Sequence, residues 1–362
     1  MALASDVQTL GATDRARVEL IALFRRYGYD GYKMAKFESY EVYLKNKDYI
    51  GSESIVTFTD SAGKLMALRP DVTLSIVNNL TEGEKKYYYD ENVFRRDSKG
   101  DYREIRQIGI ENIGGKGEYP EYEVVSLAVK ALKTLNRQYA LCVGNMDVVE
   151  DLLSPLVLLR EDKEKAIEFI KAKAFHELKK LLSSAGCDKI NAQKLLDLVS
   201  LEGEGEEVLA KAKNICGHKV KALDDMSKLY SALRASGLGD SVKIDFSVIG
   251  DFSYYSGINF RGYVSGVASA VVSGGRYDNM ARRLGKNTRA LGFAIDFDAL
   301  LPLFKQEKKE QIVIVSGKVS PDKIAKLVEE YTAKGKEVKV VPLSEDAGCE
   351  KECVYAEEVE NA

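Results

Sequence analysis

Two hydrophobic periods alternate along this chain, and the places where one gives way to the other outline its elements. Over residues 14–28, Leu20, Leu23, Phe24 and Tyr27 fall at i, i+3, i+4 and i+7. That spacing predicts an amphipathic helix, with Thr13 as its cap and Gly28 as its stop. Strand-like segments follow around 55–59 and 64–68, divided by the turn Asp60-Ser-Ala-Gly63. Pro70 holds Arg69 extended, which leaves Asp71 placed to cap a helix through Val72–Leu80. Tyr87–Arg95 and Tyr102–Asn112 read as two strands joined by the turn Ser98-Lys-Gly-Asp101. Pro120 opens another helix, in which Val125, Ala128, Val129 and Leu132 repeat the helical period.

The pattern changes between about 147 and 238, where Lys, Glu, Leu and Ala dominate and turns fall at Gly186 and Gly203–Gly205. This reads as a small helical module inserted into a sheet domain, its charge runs being solvated helix faces. Strand character resumes at Val242–Ile249, Gly257–Tyr263 and Ala268–Val272. The last portion reads as strand, helix, strand: Ile312–Val315, Lys323–Lys334 and Val338–Val341, before an acidic tail over Glu350–Ala362. The expected class is α+β. A mainly antiparallel core over 1–310 is interrupted by the insertion at 147–238 and followed by a short βαβ-like unit at 311–362.

With 362 residues, 45% of them hydrophobic, the chain buries a large core and has room for an appendage. Lys+Arg 53 against Asp+Glu 56 leaves a net charge of −3, so no global basic footprint marks it for nucleic acid. Cys142, Cys187, Cys216, Cys349 and Cys353 are scattered and accompanied only by His176 and His218, which is no zinc-site pattern. Free thiols in a reducing compartment, no metal and no cofactor are expected. No signal-peptide block and no apolar run of about 20 residues are present, so the expectation is a soluble, cytoplasmic protein without a membrane partner. Gly114-Gly-Lys-Gly117 lacks the P-loop spacing and reads as a turn.

The chemistry concentrates on the strand Arg103–Glu111. Alternation places Arg103, Ile105, Gln107, Gly109 and Glu111 on one face and Arg106, Ile108 and Ile110 on the other. Gly109 leaves room for something to approach between Gln107 and Glu111. Arg95, ending the neighbouring strand, reaches the same surface. Buried there, Arg95 and Glu111 require pairing, either with each other as a structural ion pair or with a ligand. Asp71 and Thr73 at a helix start are well placed for an ammonium group. Gly274-Gly275 before Arg276-Tyr277 permits a close or left-handed turn with a tyrosine facing inward.

Four segments in this order resemble the active-site core of the class II aminoacyl-tRNA synthetases, the histidyl type. They are Leu68-Arg-Pro-Asp-Val-Thr73, Phe94-Arg-Arg-Asp97 leading to Gln107-Ile-Gly-Ile-Glu111, Phe252-Ser-Tyr-Tyr255, and Ser273-Gly-Gly-Arg-Tyr-Asp278 followed by Leu291-Gly-Phe-Ala-Ile295. The resemblance implies a class II synthetase-like fold and a histidine pocket made by Asp71, Thr73, Arg95, Gln107, Glu111, Tyr255 and Tyr277. The chemistry suits that ligand: carboxylates for ammonium and imidazole N–H groups, an arginine for the carboxylate, aromatic walls for the ring.

On the amino-acid side Asp71 stands where a glutamate is usual, and most other departures fall on the ATP side. Asp97 stands for a glutamate, Asp101 for a phosphate-binding arginine, Gly250 for the catalytic arginine and Ala299 for the motif-3 arginine, while Ala35 lies near the usual motif-1 proline. Losing one preorganised donor removes about 3–4 kcal/mol of transition-state stabilisation, so three such losses argue against adenylation and leave no catalytic residue. An eroded ATP site and a short C-terminal unit resemble the regulatory subunits of short-form ATP phosphoribosyltransferase. That family implies a non-catalytic partner of a catalytic subunit, dimeric within a hetero-octamer, that supports activity and carries feedback inhibition by histidine in histidine biosynthesis. The alternatives are a diverged histidyl-tRNA synthetase-like ligase and a stand-alone amino-acid-binding protein.

Overall fold

The computed structural model of the chain describes residues 10–44, 55–81, 83–96, 100–135, 137–217, 220–252, 254–304, 311–342 and 352–356. Asp97, His218, Cys349 and most of the acidic tail lie outside them. Residues 16–303 make up one unit, and the described residues after 303 belong to another.

The chain enters through α1 (Ala12–Arg26), which buries Leu20, Leu23 and Phe24. Its end is as expected: Gly28 takes φ +78° and Tyr29 N–H returns to the Phe24 carbonyl at 3.3 Å. Its start is not, because the helix begins at Ala12 and Thr13 lies inside the first turn. Then come β1 (Asp30–Gly31), β2 (Phe37–Ser39), α2 (Tyr40–Leu44), β3 (Thr57–Thr59), β4 (Leu65–Leu68) and α3 (Val72–Asn78). β2, β4 and β3 form a small antiparallel sheet.

β5 (Lys85–Arg96) and β6 (Tyr102–Ile113) form the expected hairpin, and α4 (Tyr119–Thr134) and β7 (Tyr139–Asn145) follow. After the insertion come β9 (Val242–Asp245), β10 (Ser256–Val264), β11 (Val272–Arg276), α11 (Asp278–Arg283) and β12 (Ala290–Asp296). The large sheet runs β1-β5-β6-β12-β11-β10-β7-β9-β8, where β8 is the short strand Glu202–Glu204. Its six strands from β5 to β7 pair antiparallel, while β1–β5 and β7–β9 are parallel. The expected α+β class with a mainly antiparallel core is observed. One row of register partners crosses the sheet as Tyr87, Glu111, Gly292, Gly275, Asn259 and Gly144.

Two expectations need correcting. The strand expected at 268–272 lies instead at 272–276, so Gly274 and Gly275 sit inside β11 rather than in a turn, and neither takes positive φ. What these glycines provide is closeness: a Cβ on Gly274 would lie 2.5 Å from the Gly292 carbonyl oxygen.

The insertion is not wholly helical either. It runs through α5 (Met146–Leu153), α6 (Arg160–Lys171), α7 (Phe175–Ser184), α8 (Lys189–Val199), α9 (Gly205–Cys216) and α10 (Lys221–Ala235), but β8 (Glu202–Glu204) pairs with β9 and closes the sheet edge. Ion pairs of Glu202 with Lys173 and of Glu204 with Lys243 keep that edge charged.

In the second unit, β13 (Gln311–Val315), α12 (Pro321–Ala333) and β14 (Glu337–Val341) confirm the expected strand, helix and strand. A third parallel strand, β15 (Glu352–Tyr355), pairs with β13 where only an acidic tail was expected. Ile312 and Ile314 pack with Ile324, Leu327 and Val328 of α12. Among the described residues, no helix is long and apolar enough to cross a membrane, and no cluster of His, Cys, Asp and Glu is arranged to hold a metal.

Val157, after the short turn of helix Ser154–Leu156, takes φ +49° while 88% exposed. A β-branched residue there carries strain that no packing offsets. Val157→Asn is expected to stabilise the chain by about 1 kcal/mol in urea unfolding; equal or lower stability would contradict this.

Candidate functional site

Arg69 anchors the segment that delivers the first two site residues. Its side chain is fully buried, donating to the Ala35 carbonyl at 2.7 Å, to Glu91 Oε2 at 2.8 Å and to the Asn92 carbonyl at 2.9 Å. Phe94 N–H donates to the Arg69 carbonyl at 2.9 Å, so the Arg-Pro segment is stitched to β5. Asp71 then caps α3 as expected, its Oδ1 accepting from Leu74 N–H at 2.7 Å. Thr73, in the first turn of α3, points its hydroxyl at β6.

The centre of the site is Glu111, 1% exposed. Thr73 Oγ1 donates to its Oε1 at 2.5 Å, and Tyr277 OH donates to its Oε2. Burial pushes the Glu111 carboxyl up to about 8, outweighing the two hydroxyl donors, and Asp71 adds to the rise. The same burial holds the Tyr277 and Tyr89 hydroxyls well above the usual phenol range, with Glu111 contributing.

Two glycines make space for this cluster. A Cβ on Gly292, the register partner of Glu111, would lie 1.9 Å from Oε2, and one on Gly109 would lie 2.5 Å from Tyr89 OH.

Glu111 opens into a cavity of about 490 Å³. All seven residues expected from the sequence line it: Asp71, Thr73, Arg95, Gln107, Glu111, Tyr255 and Tyr277. The alternation read along β6 is borne out, since Gln107 and Glu111 face the cavity while Ile108 and Ile110 are fully buried on the other side. Of the two pairings open to Arg95 and Glu111, the direct ion pair does not form. Arg95 Nε donates to the Pro70 carbonyl at 2.6 Å and its Nη2 lies 3.4 Å from Asp71 Oδ2, whereas Glu111 is held by hydroxyls. Asp71 is therefore engaged on both oxygens, one as a cap and one towards Arg95.

The cavity also takes in Tyr89, Asp251, Tyr254, Ser273 and Asp296. Tyr89 and Asp296 are register partners of Gly109 and Gln107 across β5 and β12, a signal available only once the strand order is known. The Tyr254 and Tyr255 rings meet at 4.5 Å between centres, tilted by 46°, with Tyr254 also 6.1 Å from Tyr277. The cavity thus offers aromatic walls, several carboxyls and one arginine at its margin, a set suited to a small zwitterion carrying a ring.

The positions that depart from the synthetase pattern have physical counterparts. Gly250 is buried, and a Cβ there would lie 2.4 Å from the Tyr255 ring, so the start of any longer side chain is already filled. Asp101 is exposed at the entrance to β6. Ala299 N–H is spent on Asp296 Oδ1 at 3.1 Å.

The chain matches the histidyl-tRNA synthetase family model over residues 7–300. It is 28% identical over 346 residues to an ATP phosphoribosyltransferase regulatory subunit of Clostridium acetobutylicum, spanning 90% of this chain and 85% of the relative. To the protein of that name in Clostridium kluyveri it is 32% identical over 282 residues, spanning 74% and 72%. A solved ATP phosphoribosyltransferase regulatory subunit/histidyl-tRNA synthetase from Bacillus halodurans shares its fold with a TM-score of 0.81 at 24% identity, over 95% of this chain and 93% of that one.

The shifted carboxyl makes a stability prediction. From about pH 4.5, the ordinary glutamate value, to about 8, the folded chain keeps a proton on Glu111 that the unfolded chain has released. Stability from this group is therefore full below the lower value and falls by up to about 1.4 kcal/mol per pH unit across the window. Glu111→Gln removes that slope. Unfolding titrations without ligand should show the variant gaining on the parent between pH 5 and 8; a constant difference would contradict the burial of the charge.

Proposed function

The chain belongs to the histidyl-tRNA synthetase family and stands within it among the ATP phosphoribosyltransferase regulatory subunits, and from that premise we propose that it is a non-catalytic histidine receptor. It binds a short catalytic phosphoribosyltransferase subunit in the cytoplasm, supports its activity and transmits feedback inhibition by histidine, as a dimer within a hetero-octamer.

The observation that carries this reading is the split of one site into a kept half and a lost half. Asp71, Thr73, Arg95, Gln107, Glu111, Tyr255 and Tyr277 surround a single cavity, while the Tyr255 ring fills the space beside Gly250 where the family's catalytic arginine would begin. Glu111 receives the imidazole N–H, the tyrosines wall the ring, and Asp71 with Gln107 serves the ammonium. A carboxyl near 8 can pass its proton to an imidazole of pKa about 6.5 once the two are paired, because the charged pair is better satisfied than either charge alone.

Regulation follows from linkage. Histidine favours an assembly state in which the catalytic subunit is less active, so that subunit's substrates must weaken histidine binding by the same factor, about 1–3 kcal/mol. Purification of the chain with a short catalytic subunit tests this. The expected outcome is a complex with higher turnover than the catalytic subunit alone, inhibited by histidine, and at least about tenfold less sensitive with Glu111→Gln. Failure to associate, or inhibition unchanged by the variant, would overturn the reading.

A further inference from the structure

Arg261 lies on β10 directly across from Ser273, and the same register row continues through Ala294 to Gly109. Side chains opposite one another on neighbouring strands leave the sheet on the same face. Ser273 and Ala294 both line the cavity that contains Glu111, and Arg261 lies one strand beyond Ser273 on the same face. Two residues along, the row from Glu111 to Asn259 passes only Gly292 and Gly275, and the floor between the two ends carries no side chain.

Arg261 is half-buried and, among the described residues, has no hydrogen bond or ion pair. A guanidinium presents five donors in a planar fork, and one left unpaired against a cavity is a recognition group for a carboxylate. Its field, like that of Arg95, reaches the Tyr255 hydroxyl on the cavity wall. Arg95 is less available, since its Nε is committed to the Pro70 carbonyl at 2.6 Å and its Nη2 faces Asp71 at 3.4 Å.

We propose that Arg261, rather than Arg95, receives the carboxylate of the bound amino acid, which lies across the glycine floor with its ring at Glu111. Three strand spacings of about 4.8 Å separate β6 from β10, a span that the Glu111 side chain, a histidine and an extended arginine fill together. The lost cation at Gly250 is thereby replaced from the strand into which the Gly250–Tyr255 segment leads. This assignment rests on the histidine reading of the cavity.

Calorimetric titration of the full chain with histidine and with histamine, which keeps ring and ammonium but lacks the carboxylate, separates the two ideas. The parent should prefer histidine by at least about tenfold. Arg261→Gln should bring histidine down to the level of histamine and leave histamine unchanged, Arg261→Lys should restore part of the preference, and Arg95→Gln should keep it. An undiminished preference in Arg261→Gln with an unchanged melting temperature would overturn the assignment while leaving the histidine reading intact. A parent chain that binds neither ligand would remove both.

Discussion

Burying the carboxyl of Glu111 is the constraint on which the rest of the site depends. A carboxyl 1% exposed needs donors for both oxygens, and here they come from two distant parts of the chain, Thr73 on α3 and Tyr277 just past β11. Those two contacts hold only if β6, β12 and β11 keep their register and α3 starts where Asp71 caps it. Gly292 is part of the same constraint, because any side chain there would occupy the position of the carboxylate. The hydroxyls do not offset the burial fully, which is why the group's pKa rises. Such a cost marks a place where an acid has a use, and in the proposed reading a ring nitrogen of the bound amino acid is the missing partner.

Much of this was legible in the sequence, for a simple reason. Strand alternation is rigid, so Gln107 and Glu111 had to share a face once β6 was recognised, and the cap at Asp71 follows from the Arg-Pro step before it. What escaped depends on register between strands far apart in sequence. Tyr89 and Asp296 reach the cavity through their pairing with Gly109 and Gln107, and Ser273 through its pairing with Ala294. A lone Gly-Gly signals a turn locally, but in the sheet Gly274-Gly275 is the bare floor of a cavity between close strands. The Arg95–Glu111 ion pair, the structural alternative to a ligand, does not form for a related reason. Both lie on the right face, but the Pro70 carbonyl and Asp71 are nearer to the arginine. β8 and β15 were missed because charged edge strands of three or four residues carry no periodic signal.

The site divides along a physical line. On one side, hydroxyls, carboxyls and tyrosine rings converge on a small cavity held by the sheet. On the other, Asp101 is exposed, Ala299 offers only a methyl group, and the Tyr255 ring closes the space beside Gly250. The last point joins the two halves. The same tyrosine that walls the cavity occupies the space beside Gly250, so in the proposed reading recognition is kept in a form that disfavours the chemistry.

In the proposed reading binding persists without activation, and one preparation tests both parts. The purified chain should bind radiolabelled histidine in equilibrium dialysis while giving no histidine-dependent ATP–pyrophosphate exchange above the level without protein. Exchange that rises with histidine would show the site to be a working synthetase centre, and absence of histidine binding would show that the cavity serves another ligand; either result contradicts the account.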